Sequence, residues 1–161
     1  LTNKTLVERK KILDKYKDTE SFVKSKDYSD GKKLFTSVKK LGLEGIVAKE
    51  KDSLYYVNKR STVWIKLKNY QTDVFYIGGY VKNKTSYSLL LGEKKKNKLY
   101  YVGKIKVSNN KDITKEVLAK KKINNPFDNY ESVGIFIEPN IKIIINYLEK
   151  TKSNMLRHPF M

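Results

Sequence analysis

Leu43-Glu44-Gly45-Ile46-Val47-Ala48-Lys49, followed by Lys59-Arg60-Ser61 and then Trp64-Ile65-Lys66-Leu67-Lys68, is the stretch on which the reading of this chain turns. In a strand, alternate side chains point to opposite faces, so Trp64, Lys66 and Lys68 share one face while Ile65 and Leu67 share the other. Two ammonium groups two residues apart stand about 6.6 Å from each other along such a strand, close enough to grip one phosphate group. Glu44 precedes a short apolar strand and can offer a carboxylate to a hard divalent cation. A lysine pair for phosphate and a carboxylate for metal are two parts that phosphoryl or nucleotidyl transfer needs.

The run from Glu44 to Lys49 resembles the fourth motif of the covalent nucleotidyltransferases, and the run from Trp64 to Lys68 resembles their fifth. The Lys59-Arg60-Ser61 link, the Asp73-Val74-Phe75-Tyr76-Ile77-Gly78-Gly79-Tyr80 segment and Leu156-Arg157-His158-Pro159 continue the likeness in the family's order. Together they resemble the ATP-dependent DNA ligases, most closely the ligase domain of bacterial end-joining ligases. The resemblance implies an α+β chain: residues 1–68 as the carboxy-terminal half of a nucleotidyltransferase (adenylation) domain, and residues 70–161 as a five-stranded OB-fold β-barrel. It also implies ATP, Mg²⁺ or Mn²⁺ as cofactors and a nicked or broken DNA duplex as partner. The reaction would seal breaks through enzyme-AMP and DNA-adenylate intermediates, in a bacterial cytoplasm at the nucleoid.

Carried over residue by residue, the likeness makes Lys66, Lys68 and Lys49 nucleotide ligands, Glu44 a metal ligand and Arg60 a DNA contact. Lys49 and Arg60 read equally well as solvated side chains, and Trp64 reads as packing beneath the lysines rather than as a base-stacking ring. One part of the family's machinery is missing. The first transfer step needs a nucleophilic lysine in a Lys-x-Asp-Gly motif. Tyr28-Ser29-Asp30-Gly31 has tyrosine in the lysine's place and reads as a turn. The sixth motif, a basic Arg-x-Asp-Lys element, is also absent. The chain alone is therefore expected to be inactive. Because it starts with Leu1, it is also expected to be a piece of a longer protein. His158, the one histidine, precedes Pro159 and reads as part of a structural turn.

Composition narrows the field from another side. The chain has 161 residues, 39% of them apolar and 32% charged, which allows an ordinary core and is not extreme enough for disorder. It has no cysteine, so neither a disulfide framework nor a thiolate metal site exists. No apolar run reaches the ~18 residues of a membrane span, and no membrane partner is expected. Against 17 Asp and Glu stand 35 Lys and Arg, a formal charge of +18. Part of that reads as a lysine-rich solvated surface. The remainder reads as affinity for a polyanion, because Lys and Arg displace counterions condensed on a nucleic-acid backbone. The runs 94–98 and 120–122 read first as solvated; their functional reading is a DNA-backbone track, with Lys94, Lys95 and Lys96 as the contacts.

Periodicity supplies the elements. Helices are expected over 3–16 and 31–41, the second ended by Gly42, with a short strand at residues 22–23. Motif strands follow over 44–50 and 63–68, then strands over 74–81, 87–92 and 99–107, a helix over 113–123, and strands over 133–138 and 141–148 joined by a tight turn at Pro139-Asn140. Three strands, a helix and two strands is the order of an oligonucleotide-binding barrel. Asn69-Tyr70 is the hinge candidate. With half a domain missing, the strands of residues 1–68 should keep an unpaired edge, and self-association through such edges is expected. Two readings stand beside the ligase: a non-catalytic OB-fold DNA-binding module, and part of an RNA ligase or capping-type nucleotidyltransferase.

Overall fold

The computed structural model describes residues 1–109 and 111–161. The chain divides into two compact units, Leu1–Asn69 and Tyr70–Met161. In the first unit, α1 (Leu6–Leu13) starts at a capping box: the Thr5 hydroxyl accepts from the Glu8 amide, and the Glu8 carboxylate accepts from the Thr5 amide at 2.8 Å. These bonds also hold the Glu8 carboxyl below its ordinary pKa. Helix α2 (Gly31–Lys40) starts at Asp30, whose carboxylate accepts from the Lys33 amide at 2.9 Å. Asp30-Gly31, expected as a turn, is thus a helix N-terminus, because Asp satisfies a first-turn amide that would otherwise lack a partner. Gly42, at φ +64°, ends α2 in the left-handed conformation that glycine adopts without penalty. Residues 22–23 form no strand.

Strands β1 (Gly45–Lys49) and β2 (Trp64–Lys68) pair antiparallel as a two-stranded sheet. Gly45 is required there. A Cβ on it would lie 2.2 Å from the Leu67 carbonyl oxygen, and its φ is +151°.

The second unit contains β3 (Gln71–Lys82), β4 (Ser86–Lys95), β5 (Lys98–Ser108), α3 (Asp112–Leu118) and β6 (Ile135–Tyr147). The strands form one antiparallel sheet in the order β5-β4-β3-β6. Phe75, Ile77, Leu89, Leu91, Val102, Ile137 and Ile145 fill one side of it, with Val117 of α3 and Leu156 packed among them. Leu90, Leu99 and Phe127 make a second cluster with Tyr76, Tyr101, Tyr130 and Phe136.

Two expectations need correction. The segments 133–138 and 141–148 are not two strands around a turn. They belong to the single strand β6, whose register with β3 jumps from Ile77↔Ile141 to Gly79↔Phe136. Pro139 lies inside that bulge, where its missing N–H costs no ladder bond. The described strands therefore form an open four-stranded sheet rather than a closed five-stranded barrel. The gap between β5 and β6 is crossed by the chain after β6: the Leu156 amide donates to Val102 O at 2.6 Å, and the Leu148 amide donates to Arg157 O at 2.9 Å. The second correction is that α3 ends at Leu118 rather than near 123. Beyond it, Lys122 bridges Ile137 and the Ile123 amide donates to Phe136 O, so the β6 backbone claims these residues.

Candidate functional site

The register of β1 on β2 sets Lys49 opposite Trp64, Val47 opposite Lys66 and Gly45 opposite Lys68. Directly opposed residues share a face, so Lys49, Lys66 and Lys68 stand on one side of the hairpin with Trp64. Ile46, Ala48, Ile65 and Leu67 take the other side. The Lys49 ammonium sits 4.4 Å over the Trp64 ring, Tyr55 lies 6.1 Å from that ring, and the Arg9 guanidinium is 5.6 Å from the Tyr55 centroid. These cation–π contacts hold a cation at the edge of the lysine face. Arg60 is on the connection between the strands, in a cleft of about 770 Å³ that Tyr55, Tyr56, Trp64 and Lys66 also line.

Glu44 lies one residue outside the ladder. Its carbonyl accepts from the Asn69 amide at 2.8 Å, while the buried Asn69 carboxamide donates to Leu43 O at 3.1 Å. Asn69 therefore fixes the backbone that carries Glu44, a positioning role its reading as a hinge candidate did not contain. Among the described residues there is no cluster of three or more Asp, Glu, His or Cys. A single carboxylate still fits Mg²⁺, which is usually held by one or two carboxylates together with substrate phosphates.

The three lysines read as one DNA-binding run go to different places. Lys95 pairs with Glu93 at 3.3 Å. Lys96 occupies the β4–β5 turn with φ +54°. Lys94 lies 4.2 Å over the Tyr76 ring. Lys142, which the sequence alone did not single out, approaches the same ring at 5.8 Å. Its signal was the alternation Ile141, Lys142, Ile143, which puts Lys142 opposite the core face.

Glu93 is the hub of a further network. It accepts from Lys150 at 2.9 Å and from the Asn154 carboxamide at 2.9 Å. Partial burial would raise its pKa, but the bonds from Asn154 and Lys150, with the charge of Lys150, outweigh that and hold it down at about 2. Nearby, the Tyr147 hydroxyl donates to Asp73 at 2.5 Å, and burial together with that bond pushes Tyr147 up to about 12. His158 has φ +51° and is exposed.

Residues 1–68 match the family model described as "ATP dependent DNA ligase domain". Together with the relatives below, this match supports an ATP-dependent DNA ligase of the bacterial end-joining type. It is 29% identical to the multifunctional non-homologous end joining protein LigD of Mycolicibacterium smegmatis, over 94% of this chain and 22% of that protein. To the SPbeta prophage-derived DNA ligase-like protein LigB of Bacillus subtilis it is 31% identical, over 97% of this chain and 54% of that one. The chain thus spans between about a fifth and about half of these relatives. In fold it is similar to a solved Lig E DNA ligase, with a TM-score of 0.59 at 16% identity over 99% of this chain and 58% of the other. No helix among the described residues is long and apolar enough to cross a membrane.

Proposed function

We propose that this chain is the carboxy-terminal portion of an ATP-dependent DNA ligase, with residues 1–68 as half of the nucleotidyltransferase domain and residues 70–161 as an OB-type DNA-binding domain. The observation that carries the reading is the β1–β2 register, which gathers Lys49, Lys66 and Lys68 on one face. On this reading Lys66 and Lys68 bind the α-phosphate oxygens of ATP, and Lys49 stands next to them over Trp64. Two fixed ammonium groups offset the negative charge that builds on the phosphate as a nucleophile attacks it, without reorganising at the moment of reaction. Glu44 would hold Mg²⁺, which when bound neutralises phosphate charge and orients the leaving group. Arg60, with Lys94 and Lys96, would contact the DNA. Such work belongs to the bacterial cytoplasm, at the nucleoid.

The second unit supports the OB reading through its strand–strand–strand–helix–strand order, with the segment after β6 standing where a closing strand would. A DNA-binding module without chemistry is the second reading, favoured by the missing Lys-x-Asp-Gly nucleophile. One experiment separates the two. In the longer protein that contains this chain, Lys66→Ala or Glu44→Ala should lower nick sealing on the order of 10²–10³-fold while DNA affinity stays nearly constant. The isolated chain incubated with labelled ATP and Mg²⁺ should acquire no covalent label. Wild-type sealing by either variant would overturn the assignment of these residues.

A further inference from the structure

On the second unit, the side of the sheet turned away from the main core carries an uncommon arrangement. Tyr76 of β3 pairs with Gly92 of β4 on one side and with Lys142 of β6 on the other. Lys94, two residues beyond Gly92, stands on the same side of the sheet. Both ammonium groups reach one ring, at 4.2 Å and 5.8 Å from its centroid. Two like charges approach a single aromatic ring, one from each neighbouring strand, and two carboxylates beside Lys94 and Tyr76 are engaged elsewhere: Glu93 with Lys150 and Asn154, Asp73 with Tyr147. Glu138 is the only acidic residue of β6.

The surroundings extend this positive site. Next to it, the directly paired Val74 and Ile144 are 54% and 62% exposed, an apolar step in a strongly basic surface. Toward the β4–β5 turn, Lys94, Lys96 and Lys98 line a cleft of about 600 Å³ with Asn97 and Asn125. Of these, Lys98 is neutralised by Asp128 at 2.7 Å. Lys96 is held at φ +54° as the first residue of the two-residue turn between Lys95 and Lys98, which fixes its place at the tip of the hairpin.

From this geometry we infer that Lys94 and Lys142, seated on Tyr76, form a phosphodiester-binding site for a DNA strand that runs across the Val74–Ile144 step. The inference rests on the DNA-binding reading of the second unit and sharpens it: the contact is this sheet face, and Lys95 lies outside it. Phosphates of the strand offset the positive charge gathered around the ring, one beside each ammonium group. The tyrosine ring keeps both stems ordered before DNA arrives, so less side-chain freedom is lost on binding. The exposed Val74 and Ile144 offer contact to sugars, which carries no sequence preference.

The test is a salt titration of the whole chain on a nicked duplex. Each phosphate that the protein no longer neutralises should flatten the log–log slope by about 0.9. Lys94→Gln with Lys142→Gln should therefore flatten it by about 1.8. Lys95→Gln should leave the slope as it is, because that ammonium is paired with Glu93. Tyr76→Leu should weaken binding while leaving the slope near the wild-type value, and Tyr76→Phe should bind like the wild type. If the wild-type chain does not bind DNA, both the inference and the DNA reading fall. If it binds but the double variant keeps the wild-type slope, or Lys95→Gln flattens it equally, only the site is wrong. Equal or tighter binding to anionic lipid vesicles, abolished in the double variant, would reassign the face to a membrane.

Discussion

Residues 70–161 close a core of fully buried apolar side chains, whereas residues 1–69 leave most of theirs exposed. Among the described residues, Val38 is the only fully buried apolar side chain of the first unit, while the second unit has Phe75, Ile77, Leu89, Leu90, Leu91, Val102, Ile137 and Ile145 with almost no exposure. In the first unit Ile65, Val57 and Leu43 are more than half exposed. Composition does not explain the difference, since both stretches hold alternating apolar strands. Strand number does. A lone two-stranded hairpin is marginal in water, whereas four strands with a helix over one face can close a core. The strands that carry the proposed nucleotide contacts therefore belong to the less self-sufficient unit.

The hardest test of that contrast is core truncation. Phe75→Ala removes a ring that is 1% exposed and meets Tyr147 edge-on at 6.0 Å, and should cost about 3–5 kcal/mol in denaturant unfolding of the second unit. Val38→Ala should leave that transition where it is. If Val38→Ala shifts the transition as strongly as Phe75→Ala, the two units share one cooperative core and the contrast is broken.

A smaller effect should follow acid. The Glu93 pKa lies below the ordinary carboxylate value, so its bonds to Asn154 and Lys150 add stability above the unfolded value of 4.5. That contribution is lost as pH falls from 4.5 toward about 2. Glu93 is partly open to solvent, so screening keeps the effect below that of losing Phe75. Unfolding of the second unit measured from pH 7 to pH 2 should be less acid-sensitive in Glu93→Gln than in the wild type. An unchanged acid profile in the variant would show that the network does not tie residues 149–157 to β4.

The sequence made some of this plain and hid the rest, for identifiable reasons. Trp64, Lys66 and Lys68 alternate with Ile65 and Leu67, and one strand is enough to put the lysines on one face. Asp30-Gly31 before Leu34, Phe35 and Val38 carried an N-cap signal that a turn reading absorbed, because Asp and Gly serve both purposes. Pro139-Asn140 misled in the same way: those residues suit a tight turn and a bulge equally, and only the continued pairing of β6 with β3 decides. Lys49 over Trp64 depends on a hairpin register that the connection over 50–63 conceals. Lys94 and Lys142 meet at Tyr76 from three different strands, so no local pattern could join them. Gly78 marks the bulge, but its reason lies far along the chain: a Cβ there would stand 2.6 Å from the Phe127 ring.

The smallest effect should also be the most local. Thr5 and Glu8 satisfy each other's amides at the start of α1, and replacing an N-cap threonine with alanine typically costs about 1 kcal/mol. No residue of α1 is fully buried, so the helix shares little of that loss with a core. Thr5→Ala should therefore loosen α1 by itself. Hydrogen exchange at the amides of residues 8–10 should accelerate about fivefold, the factor that ~1 kcal/mol corresponds to. Amides of β3 and β4 should exchange at their wild-type rates, protected by a core that Thr5 does not touch. If exchange in β3 and β4 accelerates along with α1, helix and sheet open together, and the first unit is as firmly held as the second.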